Sequence, residues 1–355
     1  MRRWLAGLVG LAAIAAVVAA AMRVPLVQDA IIRRVIARAI GTANHLFAED
    51  ALRVLLCGTS APLPHPTRAK ACVAVFAAGR FWVVDTGPQS WNRLALSRID
   101  GKRIGAVLFT HFHSDHIGEL GEFNLQTWAA GREGPMRVFG PPGVERVVAG
   151  FQEAYALDSG YRIAHHGADF LDANVGRMQA TQVDAVSAPA VVLDEEGLKI
   201  TAFPVDHRPI VPAYGYRFDY RGRSVVVSGD TVKSPSLVAA ARGADVLVHE
   251  AQANHLIAMI GDAAAAAGRT RVAKIMHDIP SYHTSPVQAA EVANEAGVRL
   301  LVLYHLNPPP PNRFAERVFV RGVAAVRPDH WVLGDDGTLV ELPFGSSAVE
   351  VRSLE

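Results

Sequence analysis

The feature that most limits what this chain can fold into is the run Thr110-His111-Phe112-His113-Ser114-Asp115-His116, which follows directly on the apolar stretch Ala106–Phe109. Four side chains able to bind a metal fall within six residues at the mouth of a predicted strand. Burying them without partners would be costly, so a fold that carries them has to satisfy them. His111 and His113 alternate along extended chain and therefore point the same way. Asp115 and His116 come next, on the turn into a predicted helix, and aim at a neighbouring point. The spacing predicts two adjacent metal positions.

Composition says what the ligands can be. The chain has fourteen histidines against two cysteines. That excludes a disulfide-built scaffold, a zinc ribbon and a Cys-ligated iron-sulfur protein, each of which needs four or more thiols. Any metal must be held by imidazole and carboxylate. Cys57 and Cys72 fall on predicted core strands and are expected as free buried thiols. A formal net charge of +1 argues against a general nucleic-acid coat protein, although a local basic groove is compatible with it.

At 355 residues the chain has length for one large domain or two small ones. Four regions are expected: a signal anchor or signal peptide over 1–22, an amphipathic helical linker over 23–50, a catalytic domain over 51–345 and a C-terminal tail over 346–355. The apolar stretch from Trp4 to Met22, flanked by Arg2, Arg3 and Arg23, covers roughly 28 Å as a helix, close to the hydrocarbon core of a bilayer. Ala19-Ala20-Ala21 offers a signal-cleavage site, yet the run is long for a cleaved signal. An exported protein is expected, anchored in the inner membrane facing the periplasm, or periplasmic or secreted if cleaved. Between Leu26 and Ile40, apolar residues at helical spacing alternate with Arg33, Arg34 and Arg38. That pattern fits a membrane surface, a second copy of the chain as in a homodimer, or docking on the main domain.

From about Ala51 the pattern turns to short β-branched runs with Gly, Pro and Asp turns. Predicted strands are 52–57, 71–76, 81–84, 106–110, 198–205, 215–220, 224–228, 246–249 and 300–304. Helical patterns occupy 143–156, 236–242, 286–296 and 313–323. Strand-helix alternation together with a hairpin at Arg221-Gly222 predicts an α/β fold with two mixed sheets. Asn254–Gly268 reads as a helix that could cap a cleft. Trp128, Phe151, Tyr155 and Tyr161 read as core aromatics, with the wall of an apolar pocket as the other reading.

His111, His113, Asp115 and His116 match the H-x-H-x-D-H motif, and with them the chain resembles the metallo-β-lactamase superfamily. The resemblance runs in order from about Leu52 to His305. It continues through Leu56-Cys57-Gly58-Thr59, Val83-Val84-Asp85-Thr86-Gly87, His207, Ser228-Gly229-Asp230-Thr231 and Leu303-Tyr304-His305. It implies a four-layer αββα sandwich, here preceded by an N-terminal hydrophobic helix. It also implies a ligand set: His111, His113 and His207 on one metal, Asp115, His116 and His305 on the other, and Asp230 bridging. Two Zn²⁺ ions suit these donors, with Mn or Fe as alternatives. Asp85 is expected to accept a hydrogen bond from a ligand histidine.

Three segments are closer to the ribonuclease Z and arylsulfatase-like branch: Gly222–Thr231, Asp245–Ala251 and Tyr282-His283-Thr284-Ser285. By that resemblance His283 assists the leaving group and Glu250 orients it, which makes Asp115, His283 and Glu250 the catalytic candidates. Ribonuclease Z proteins carry a long inserted arm that grips transfer RNA, and the tight hairpin at Tyr216–Arg223 leaves no room for one. The expectation is therefore an exported dinuclear-zinc hydrolase whose metal-bridging hydroxide cleaves a small-molecule ester (phosphate or sulfate), lactone or lactam, with nucleic acid an unlikely partner. The alternatives are a ribonuclease Z-like phosphodiesterase acting on RNA and a non-catalytic, membrane-anchored metal-binding scaffold.

Overall fold

The structure is a computed structural model that describes residues 2–41 and 44–354. The chain forms two compact units, Met1–Ala43 and Asn44–Glu355. The first holds the helices Arg2–Ala21 and Pro25–Ala39. Residues 42 and 43, in the predicted linker, and Glu355, in the predicted tail, lie outside the described residues. Among the described residues no single helix is long and apolar enough to cross a membrane; Gly10–Ala21 and Pro25–Ala37 reach that length only jointly, with an 83° bend between them. The expected transmembrane signal anchor is corrected on this finding.

The second unit is built on fifteen strands among the described residues. They are β1 (Ala51–Gly58), β2 (Cys72–Ala77), β3 (Arg80–Val84), β4 (Ile104–Leu108), β5 (Met136–Gly140), β6 (Met178–Gln182), β7 (Ala190–Glu195) and β8 (Leu198–His207). After these come β9 (Ile210–Tyr220), β10 (Arg223–Val227), β11 (Val246–Gln252), β12 (Leu300–Asn307), β13 (Trp331–Leu333), β14 (Thr338–Pro343) and β15 (Glu350–Ser353). One sheet runs β15-β14-β1-β2-β3-β4-β5-β6, the other β13-β12-β11-β10-β9-β8-β7. The end of the chain, read as a tail, thus supplies an edge strand.

Every residue of β1, β2, β4, β10, β11 and β12 is buried, as central strands covered on both faces require. Val54, Val75 and Leu108 of the first sheet and Tyr216, Val225 and Val302 of the second belong to one continuous core. A second core lies beneath helices Pro235–Ala241, Pro286–Ala296 and Arg313–Phe319, where Leu237, Ala290 and Phe319 are fully buried. Helix Pro286–Ala296 opens on a capping box of Ser285 and Gln288 and closes on Gly297, whose φ of +67° suits a left-handed cap. Arg221 and Gly222, at φ +47° and +79°, make the tight β9–β10 turn with no inserted arm.

One further expectation changes here. Cys57 and Cys72 are joined as a disulfide, not free thiols. The antiparallel β1–β2 register shifts between Leu56 and Gly58, which sets Cys72 opposite Gly58 and brings the two Cα atoms to 5.0 Å. The helix expected over Asn254–Gly268 is present as Asn254–Ala266; Gly268 at φ +71° ends it, and a second helix, Thr270–Asp278, follows.

Candidate metal centre

Parallel pairing aligns the carboxyl ends of β3 and β4, and likewise of β10, β11 and β12. The chemistry-bearing residues collect at those ends, as open α/β sheets favour. Beyond β4 the chain bends at Thr110, passes through His111 to an extended His113, then turns into the short helix Ser114–Ile117 carrying Asp115 and His116. His207 closes β8. Asp230 follows β10 on a turn whose Gly229 has φ +61° and would place a Cβ 2.5 Å from the Tyr214 carbonyl oxygen, so only glycine fits. His305 is the extra residue of a bulge between β11 and β12, at φ +45°. The bulge aims its ring into the site instead of along the pleat.

These elements bring together two groups. His111, His113, His207 and Asp230 offer ligand atoms within 4.8 Å of one another, and so do Asp115, His116 and His305. Asp230 connects them: its Oδ2 lies 3.4 Å from His116 Nε2 and 3.9 Å from both His111 Nε2 and His207 Nε2, and its Oδ1 lies 3.4 Å from His305 Nδ1. His305 Nε2 is 3.1 Å from Asp115 Oδ2. All are buried except His113, which is half-buried.

Hydrogen bonds on the outer side set the imidazole tautomers. Asp85 accepts from the Thr110 N–H at 2.9 Å, the Thr110 hydroxyl at 2.8 Å and His116 Nδ1 at 2.8 Å. His207 Nδ1 donates to the Tyr282 carbonyl at 2.9 Å. Each ring thus turns its Nε2 lone pair inward. His207 Nε2 and Asp230 Oδ1 are buried with no hydrogen-bond partner. Orphaned acceptors facing one another in a buried nest are what bound cations would satisfy, so the residues fit a pair of metal ions.

Charge follows the same pattern. Burial disfavours the charged form of His116, but Asp230, Asp85 and Asp115 outweigh it and hold its pKa well above the usual imidazole value. Burial would raise Asp115, yet His116 and His305 bring it down to about 2. His207 is pushed down to about 4, chiefly by burial. The site is built to hold positive charge among fixed carboxylates.

Beside it, Glu250 Oε1 accepts from His283 Nδ1 at 2.9 Å, the Thr231 N–H at 3.1 Å and the Thr284 N–H at 3.2 Å. His283 Nδ1 lies 4.0 Å from Asp230 Oδ2. Burial opposes its charge, but Glu250, Asp230 and Asp115 raise its pKa to about 9. A cavity of about 250 Å³ opens here, lined by His113, Asp115, Asp230 and His283 on one side and by Leu63, Ile275, Met276, Ile279 and Tyr282 on the other. Helix Thr270–Asp278 borders it, while Asn254–Ala266 packs behind through Ile257. Sequence reasoning missed Tyr282, Asn307 and that apolar wall. Adjacency to His283 and His305 was the one signal for the first two. Trp128 and Tyr155 line a separate cavity of about 440 Å³ that shares no residue with this one. His165 and His166 are exposed at a helix end.

Comparison with known proteins accords with this geometry. The family profile described as Beta-lactamase superfamily domain matches residues 80–306. Ribonuclease Z of Mycobacterium bovis (strain BCG / Pasteur 1173P2) is 37% identical over 261 residues, 72% of this chain and 86% of that protein. Ribonuclease Z of Mycobacterium sp. (strain KMS) is 35% identical over 297 residues, 83% of this chain and 97% of that one. Among solved structures, the metallo-β-lactamase fold protein YhfI of Bacillus subtilis superposes with a TM-score of 0.58 at 18% identity, over 82% of this chain and 100% of that one. Human short-form tRNase Z gives 0.57 at 22%, over 82% and 99%. At such identities the two structures speak for the fold alone. The curated relatives overturn three expectations: the small-molecule ester, lactone or lactam as substrate, nucleic acid as an unlikely partner, and the arylsulfatase-like label. The chain is a metal-dependent hydrolase and belongs to the metallo-β-lactamase superfamily, in its ribonuclease Z branch.

Proposed function

We propose that the chain is a ribonuclease Z-like phosphodiesterase that acts on precursor transfer RNA with two zinc ions. The observation that carries the reading is the His283–Glu250 pair at 2.9 Å beside the two ligand groups, in a chain 37% identical to a ribonuclease Z. A ribose oxygen is a poor leaving group, so cleavage of an RNA phosphodiester gains from a proton donor at departure. An activated ester would not need one.

His111, His113 and His207 would hold one cation, Asp115, His116 and His305 the other, with Asp230 between them. The nitrogen-and-carboxylate donor set suits zinc. Bound cations supply a nucleophile at neutral pH and neutralise charge developing on the attacked phosphoryl group. Asp85 and the Tyr282 carbonyl keep the imidazole protons on the outer nitrogens. His283 hands its proton to the departing oxygen, and Glu250 keeps its ring oriented and charged between turnovers.

The test compares precursor transfer RNA with an aryl phosphodiester, bis(p-nitrophenyl) phosphate, which has a good leaving group. His283→Ala is expected to cost about 100-fold or more in kcat on RNA and much less on the aryl diester. Aryl diester hydrolysis with no RNA cleavage would overturn the reading, and equal losses on both substrates would remove the role of His283.

A further inference from the structure

An RNA substrate needs cations along its backbone, and most of this chain supplies few. Six of the 35 Lys and Arg but only one of the 34 Asp and Glu precede residue 44, so the side chains of the second unit sum to a formal charge of −4. The cavity beside the metal centre is lined by no lysine or arginine, and the β9–β10 turn carries no inserted arm. At the opposite end of the first sheet, where β3, β4 and β5 begin, lies a separate cleft of about 510 Å³. Arg80, Lys102, Arg103, Arg132 and Arg137 line it, with Glu133 as its single acid. Asp100 lies 3.8 Å from Lys102 and 3.5 Å from Arg103, and Glu195 pairs with Arg137 at 2.6 Å. Five cations therefore face three carboxylates. Arg132 is 7% exposed and donates only to neutral acceptors: the carbonyls of Gly134, Asn124 and Val175, the Asn124 side chain and the Thr127 hydroxyl. A buried charge without a counter-ion is costly, and an anion in the cleft offsets it. Arg80 is exposed and, among the described residues, its side chain has no hydrogen bond or ion pair.

We propose that this cleft grips the phosphate backbone of the RNA at a distance from the cleavage point, through Arg80, Lys102 and Arg103, with Arg132 adding its charge from behind. The inference rests on the RNA-hydrolase reading and gives that substrate a second point of attachment. Arg103 is held at the rim: its guanidinium lies 4.9 Å from the centre of the Phe47 ring and donates to the Gly79 carbonyl at 3.2 Å. No aromatic ring lines the cleft, so it offers a base no stacking surface and suits backbone phosphates instead. Such contacts position a nucleic acid without reading its sequence. The cleft and the metal centre lie at opposite ends of β4, whose five residues span roughly 17 Å. At about 3.4 Å per nucleotide, the phosphates held in the cleft are on the order of five or more nucleotides from the scissile one.

The experiment uses the full zinc-loaded chain and two substrates with the same cleavage junction: a full-length precursor transfer RNA, and a hairpin whose stem of about three base pairs is too short to reach the cleft. In the double variant Arg80→Gln/Lys102→Gln, KM for the long RNA is expected to rise about tenfold with kcat unchanged. The slope of log(kcat/KM) against log salt should become shallower by about 2. KM for the short hairpin and hydrolysis of bis(p-nitrophenyl) phosphate should hold. Arg80→Lys/Lys102→Arg keeps both charges and should restore KM, which a merely structural role for these side chains does not predict. An unchanged KM and salt slope on the long RNA overturns the inference and leaves the RNA-hydrolase reading standing, as do equal losses on the two RNAs. Pyrophosphate binding that the Gln variant loses, with its KM for RNA unchanged, makes the cleft a site for a free phosphate anion and overturns the inference as well. Failure of the wild type to cleave either RNA, with bis(p-nitrophenyl) phosphate still hydrolysed, overturns the reading and the inference together.

Discussion

Asp85 touches no group that would bind a cation directly except through the back of His116, yet three hydrogen bonds converge on it. Its carboxylate sets which nitrogen of His116 carries the proton. In Asp85→Asn one oxygen becomes a donor and confronts either the Thr110 N–H, at the Oδ1 position, or both the Thr110 hydroxyl and His116 Nδ1, at the Oδ2 position. The expected result is a 10- to 100-fold loss in metal affinity or activity with the fold retained, read by metal content against added chelator. Unchanged metal affinity would count against the proposed ligand role of His116. A second buried imidazole behaves differently. His249 donates from Nδ1 to the Glu250 carbonyl at 2.8 Å, has no partner at Nε2, and is pushed down to about 4 by burial. Its unfolded value is about 6.5, so between these pH values the unfolded chain binds a proton that the folded chain refuses. Stability is therefore present above pH 6.5 and lost as pH falls towards 4, by an amount on the order of 3 kcal/mol. His249→Asn keeps a donor for the carbonyl and removes the titration, so its unfolding free energy should fall less between pH 7 and pH 4. Parallel slopes in denaturant titrations would show that His249 contributes nothing to acid sensitivity.

At the scale of elements, the strands that were legible are those with an unmistakable apolar run. β1, β2, β4, β11 and β12 are buried throughout, so their sequences are almost continuously hydrophobic. β6, with the sequence Met-Gln-Ala-Thr-Gln, escaped because an edge strand shows water most of its length and reads as loop. β13, three residues long, has no period to detect. The helix Thr270–Asp278 was hidden behind Gly268, which looks like the end of a helical region and instead separates two helices. The ligand positions were legible because short local motifs carry them. The hydrogen bond from His207 to the Tyr282 carbonyl was not, since it joins residues distant in sequence and leaves no local pattern. The disulfide is the element-scale feature with the clearest energetic consequence. Cys57 and Cys72 enclose a loop with a sequence separation of 15, and the loop carries Arg68 and Lys70. Closing such a loop restricts the unfolded chain by about 3 kcal/mol in the entropy model. The double variant Cys57→Ala/Cys72→Ala should lose stability of that order in denaturant titration. A loss under about 0.5 kcal/mol would mean that the loop is held by other contacts, such as the Arg68 bonds to Thr59 and to the Gly334 carbonyl.

For the whole molecule, what matters is that each ligand group draws on both sheets. His111, His113, Asp115 and His116 follow β4 in one sheet, whereas His207, Asp230 and His305 belong to or follow β8, β10 and β12 in the other. A cation in either group therefore ties the sheets together at one end of the sandwich. The middle of the sandwich does not depend on that tie, because Val54, Val75, Tyr216, Val225 and Val302 form a continuous dry core between the sheets. Removing metal should consequently loosen one end without unfolding the unit. A cation present at about 100 times its dissociation constant contributes roughly 2.7 kcal/mol per site to the folded state. For a unit of this size that corresponds to a Tm change of several degrees. The chelator-stripped protein is expected to keep a single cooperative unfolding transition, displaced downward by several degrees, and to recover both Tm and hydrolysis on titration with zinc. Hydrogen exchange locates the effect: protection should fall at the carboxyl ends of β4, β8 and β10 and hold at Val75 and Val302. A Tm indifferent to chelator in a protein that still hydrolyses RNA would mean that the seven residues do not bind metal as a bridge between the sheets. Protection lost uniformly across the core would mean that the sandwich is not self-supporting.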